Sequence, residues 1–145
     1  MLPFNFNWEK LSVSAGLTLR NFYFRHYPDA IGQPQVIDFL KALVRQIDRP
    51  MLLVWDRLPA HRGRLVREFL ELSEGHIVTE YLPAYAPELN PVEYIWAYWK
   101  QHELPNVCPQ DYAELNDRAR KALRRMRRKP RLITAFWKQS SLCFD

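Results

Sequence analysis

Met51-Leu52-Leu53-Val54-Trp55-Asp56 is a continuous apolar run stopped by an acid. A run this short, rich in large apolar side chains, suits a central strand covered on both faces, within a sheet that carries packed helices. The carboxyl end of such a strand is where open α/β sheets place their ligand sites, which makes Asp56 a candidate ligand. A turn-forming Asp that caps the next segment is the structural alternative at the same position.

The pattern on either side agrees with an α/β chain. Val36, Phe39, Leu40, Leu43, Val44 and Ile47 recur at helical spacing between Pro34 and Pro50. Further back, Leu11, Val13, Ala15 and Leu17 alternate with polar or small residues, and Phe22 to Tyr27 is rich in aromatics. These predict an antiparallel hairpin with its turn near Arg20 and Asn21. Downstream, Leu65, Val66, Phe69, Leu70 and Leu72 predict a helix closed by Gly75, and Ile77 to Leu82 a short strand. A third helix begins at Asn90-Pro91, because Asn is a preferred N-cap and Pro is favoured at the first helical position. A fourth follows from about Asp111, and Ile133 to Trp137 reads as a short apolar docking segment. Strand, strand, helix, strand, helix, strand, helix, helix describes a mixed sheet with flanking helices.

Between the last strand and the third helix, Pro83, Pro87 and Pro91 stiffen the path that leads to Glu93. An acid in a first helical turn interacts favourably with the positive helix end, and that accounts for Glu93 without chemistry. Two carboxylates, one from a strand end and one from a helix start, also suit shared divalent cations, as two-metal phosphoryl transfer requires.

Composition narrows the class. The chain has 145 residues, 48% apolar and 26% charged, which fits a single folded domain with a core large enough to stand without disulfide or structural metal. Cys108 and Cys143 lie far apart without zinc-ligand spacing, so a reducing, cytoplasmic setting is expected. The longest apolar run is too short to span a bilayer. A net charge of +5 and a pI near 9.4 favour polyanionic partners. The excess is concentrated from Arg118 to Arg131, where nine Lys and Arg residues occur with no acid among them. That run reads as a phosphate-facing surface through Arg118, Lys121, Arg124, Arg125 and Arg128, the alternative being a solvated helix face.

The run Leu82-Pro83-Ala84-Tyr85-Ala86-Pro87-Glu88-Leu89-Asn90-Pro91-Val92-Glu93-Tyr94-Ile95-Trp96, followed by Lys100, resembles the signature around the last acid of mariner-like bacterial insertion-sequence transposases. Leu53-Val54-Trp55-Asp56 followed by His61 resembles the same family's second aspartate and downstream histidine. The resemblance implies an RNase H-like core in which Asp56 and Glu93 are the second and third acids of a DDE triad, catalytic through Mg²⁺ or Mn²⁺. It implies DNA as partner, both transposon ends and target, and a possible homodimer. His61 is read as orienting DNA, and Lys100, two helical turns beyond Glu93, as reaching a phosphate.

Arg57 departs from the family, which often has Asn there. In the family the first aspartate lies on a strand before a hairpin like Leu11 to Tyr27, and that strand is expected to be missing here. Asp29, Asp38 and Glu9 do not sit on central strands and are poor substitutes. The expectation is therefore a partial catalytic core over 1–129 with a docking segment over 130–145. Such a core is inactive in DNA cleavage and transfer unless an upstream polypeptide or frameshift fusion supplies the first acid. The alternative is a noncatalytic DNA-binding remnant.

Overall fold

Pro3–Phe6 forms strand β1, antiparallel to β2 (Leu11–Leu17), and β2 pairs antiparallel with β3 (Phe22–Tyr27). The computed structural model describes residues 3–6, 11–18, 21–84, 87–103 and 112–140. Thr18 closes the hairpin. Its N–H donates to the Asn21 carbonyl at 2.9 Å, and its hydroxyl accepts from the Asn21 N–H at 2.9 Å. Arg20, where the sequence centres the turn, lies outside the described residues.

Strand β1 is an addition to the sequence reading, which placed no strand before Leu11. Phe4 and Phe6 alternate with Asn5, but four residues opened by a proline are too few for periodicity to stand out.

Helix α1 (Gln33–Gln46) carries Val36, Phe39, Leu40 and Leu43 on its buried face. It leads into β4 (Met51–Trp55), which pairs in parallel with β5 (Ile77–Tyr81) through helices α2 (Pro59–Arg62) and α3 (Arg64–Leu72). Parallel neighbours need such a crossover. Gly75, at φ 82°, takes the left-handed turn after α3 that favours glycine. Helix α4 (Pro91–Tyr98) continues into a π-helical turn (Trp99–Glu103), and α5 (Tyr112–Arg127) and α6 (Pro130–Gln139) complete the described chain.

Among the described residues the strands form a three-stranded and a two-stranded sheet. Each has its own apolar cluster. One joins Val13, Ala15 and Phe22 to α4, α5 and α6, and the other joins α1, α3, β4 and β5 around Trp55. Met51, Leu53 and Trp55 face the second cluster. Leu52, by contrast, is 62% exposed and its partner Val78 52%, so β4 is not covered on both faces as its composition suggested. The continuous apolar run concealed a two-faced strand.

Candidate active site

Asp56 emerges directly from β4, and two bonds tie this strand end to the start of the loop after β5. The Leu82 N–H donates to the Trp55 carbonyl at 2.8 Å, and Arg57 Nε donates to the Leu82 carbonyl at 3.3 Å. The Arg57 guanidinium also lies 6.0 Å from the Tyr81 ring centre. The Asp56 carboxylate is 25% exposed; its Oδ1 accepts from the Leu58 N–H at 3.2 Å and lies 2.9 Å from His61 Nδ1, whose hydrogen bond goes to the Asp56 backbone carbonyl at 3.2 Å. The turn-capping role is therefore real, and it occupies one oxygen; among the described residues no hydrogen bond reaches Oδ2.

His61 is fully buried and stacks on Trp55, ring centres 4.4 Å apart and planes 8° from parallel. This corrects its reading as a DNA contact. The ring is walled off from solvent and faces the carboxylate.

Glu93 is set by a different device. Asn90 is the N-cap of α4, its Oδ1 accepting from the Val92 N–H at 3.2 Å and its carbonyl from the Glu93 N–H at 3.1 Å. Val92, Ile95 and Trp96 of the helix are buried, and Glu93 is half-buried in the first turn. The Tyr94 hydroxyl donates to the Glu88 carbonyl at 3.1 Å and pins the 3-10 turn Pro87–Leu89 against α4.

As chemical types the two carboxylates suit Mg²⁺ or Mn²⁺. Both side chains offer hard carboxylate oxygens, and Mg²⁺ is typically held by one or two carboxylates with water and substrate phosphates completing its shell. Among the described residues no group of three or more His, Cys, Asp and Glu is placed to hold a metal ion. Asp38 is committed elsewhere. Its Oδ2 lies 3.1 Å from Arg25 Nε and accepts from the Tyr27 hydroxyl at 2.7 Å, and burial, reinforced by that bond, pushes the phenol above its ordinary range. Asp29 is exposed, and Glu9 lies outside the described residues.

The basic stretch lies on α5. Ala119, Ala122, Leu123 and Met126 face the core, which turns Arg118, Lys121, Arg124, Arg125 and Arg128 to the exposed side. On the helix itself Arg118 pairs with Glu114 at 2.9 Å and Lys121 with Asp117 at 2.8 Å. The Lys121 ammonium, by hydrogen bond, holds the Asp117 carboxyl below its usual value. Lys100 falls in the π-helical turn, so α-helical spacing from Glu93 does not carry through to it, and its side chain lies outside the described residues. The role of Arg57 in tying the loop was not legible, because its partner stands 25 residues away. No described helix is long and apolar enough to cross a membrane.

A family model described as DDE superfamily endonuclease matches residues 6–116. No curated protein sequence matches. Among solved structures, the chain is similar to Mos1 transposase in its paired-end complex with the left transposon end, at TM-score 0.69 and 20% identity, covering 97% of this chain and 42% of that one. The Mos1 catalytic domain with Mn matches at TM-score 0.59 and 17% identity, covering 97% and 80%. A simian T-cell lymphotropic virus intasome matches at TM-score 0.58 and 14% identity, covering 84% and 44%. These likenesses show an RNase H-like α/β fold. The chain spans less than half of the Mos1 chain in the paired-end complex.

Proposed function

We propose, from the premise that this chain belongs to the DDE superfamily endonuclease family, that it is the catalytic-core segment of a transposase cutting and joining DNA strands. The observation that carries the reading is the double tie at Leu82, which fixes the strand end bearing Asp56 to the loop leading to Glu93. Asp56 and Glu93 would hold the divalent cation, Mg²⁺ or Mn²⁺, which when bound supplies activation of the attacking oxygen and stabilisation of the leaving one. Asp56 offers Oδ2, and Glu93 offers its carboxylate from a capped first turn. The exposed face of α5 and the residue just past it grip backbone phosphates of transposon ends and target through Arg124, Arg125 and Arg128, with Arg118 and Lys121 contributing once released from their acids.

In this reading the first acid of the triad would come from an upstream polypeptide or frameshift fusion, with the core over 1–129 and 130–145 as a docking segment. Ile133 and Phe136 of α6, buried against the first cluster, support that docking. A homodimer is the assembly this reading favours for joining two ends.

The test is a nicking assay with transposon-end DNA and Mn²⁺. The chain alone should leave the DNA intact, whereas co-expression with an upstream strand ending in Asp should restore cleavage that Asp56→Asn and Glu93→Gln each abolish. DNA binding with no cleavage under either condition would favour the noncatalytic remnant.

A further inference from the structure

The buried face of Asp56 holds a group that the proposed chemistry does not use. His61 is fully enclosed, yet Nδ1 lies 2.9 Å from Asp56 Oδ1 and 3.2 Å from the Asp56 carbonyl oxygen. Both neighbours are oxygens that accept, so Nδ1 carries the hydrogen. Rotating the ring by half a turn would set a carbon against Oδ1 and lose both contacts. Nε2 is buried and has no hydrogen-bond partner among the described residues, so nothing on its side selects the orientation.

The ring is also held in plane. Trp55 stacks on it and is itself bonded through its carbonyl to Leu82, while the His61 N–H donates to the Leu58 carbonyl at 2.9 Å. Past α2, Gly63 has no side chain where a Cβ would overlap the Gln33 amide, and that amide's Oε1 accepts from the Leu65 N–H at 2.8 Å. The support under Asp56 is thus assembled from β4, α1 and both crossover helices.

We infer that His61 is a positioning residue for Asp56: bonded to the Asp56 carbonyl and set close against Oδ1, it works with the Leu58 N–H to fix the carboxylate so that Oδ2 is presented to a divalent cation. The inference rests on the reading of Asp56 as a metal ligand. Held through its backbone carbonyl by the ring and through Oδ1 by the Leu58 N–H, the aspartate has little freedom to turn, and loss of a hydrogen-bonding partner behind a ligand typically weakens metal affinity about 10–100-fold. Filling space beneath Trp55 would make no such demand on Nδ1.

The experiment is Mn²⁺ titration of the full chain, followed by the spectroscopic signal of free Mn²⁺, for wild type, Asp56→Asn, His61→Leu and His61→Asn. Asn places an amide N–H near the Nδ1 position, whereas Leu only fills the space. Expected are loss of binding in Asp56→Asn, a loss of about 10–100-fold in His61→Leu, and recovery toward wild type in His61→Asn. Unchanged affinity in His61→Leu, or equal loss in both His61 variants, overturns the positioning role. Equal binding by wild type and Asp56→Asn overturns the metal-ligand reading and the inference with it. Should His61→Leu not fold, the ¹⁵N spectrum of wild type decides: hydrogen on Nδ1 supports the inference, and hydrogen on Nε2 alone sinks it.

Discussion

Arg57 Nε reaches the carbonyl of Leu82 at 3.3 Å and so joins the residue after one candidate ligand to the loop that leads to the other. Where the resembling family often has Asn, this chain uses a longer side chain with a tie across the strand pair. Arg57→Ala should lower stability by about 1 kcal/mol in urea unfolding, the usual net contribution of one such bond. Arg57→Asn should lose the same amount, because its amide is too short to span the two strands. Retention of full stability by Arg57→Asn would show that the tie contributes nothing.

The five basic residues read from the sequence should not contribute equally to DNA binding. Arg124 on α5 and Arg128 just past its end are exposed, while Arg118 and Lys121 are held by acids one turn earlier. Each neutralised phosphate contributes about 0.9 to the slope of log affinity against log salt on duplex DNA. Arg124→Ala and Arg128→Ala should each reduce that slope by nearly this amount, and Arg118→Ala and Lys121→Ala by clearly less. Equal reductions across all four, measured by fluorescence anisotropy over a salt series, would contradict the distinction.

His26 on β3 gives the protein an acid-sensitive site. Burial, helped by the Arg120 guanidinium, lowers its pKa from 6.5 to about 4; nearby Asn116 offsets part of this without completing a hydrogen bond. Because the folded value lies below the unfolded one, the associated stability is fully present above pH 6.5 and is lost as pH falls toward 4. Linkage puts the loss at roughly 2 kcal/mol by pH 5. His26→Gln should flatten this part of the profile, and an unchanged pH 5 to pH 7 difference in urea unfolding would refute the assignment.

Much of this site was legible in sequence because it depends on local chemistry. An apolar run ending in Asp fixed the place of Asp56, and Asn-Pro fixed the start of α4 and hence the turn that carries Glu93. What escaped is what depends on tertiary neighbours. A lone histidine five residues past Asp56 carries no sign that it will fold back under that aspartate and stack on Trp55. The apolar run of β4 likewise cannot announce that Leu52 faces outward. The pairing of Arg118 and Lys121 is a different kind of omission, since Glu114 and Asp117 stand four residues earlier and i,i+4 spacing brings such pairs together on a helix.

Asn90 provides the sharpest separation of fold from site. It is buried, its Oδ1 caps α4 through the Val92 N–H, and its Nδ2 has no partner among the described residues. Asn90→Ala removes the cap and should cost about 1 kcal/mol, within the range for such losses. Asn90→Asp keeps the capping oxygen, removes the unpartnered amide and adds a negative charge at the positive helix end, so its stability should match or exceed wild type. Mn²⁺ affinity should follow the cap: lowered in Asn90→Ala, where the first turn frays and Glu93 loses its fixed position, and retained in Asn90→Asp. If Asn90→Ala unfolds at a lower urea concentration yet binds Mn²⁺ as wild type does, Glu93 is not presented by this cap, and its claim to be a ligand loses its structural basis.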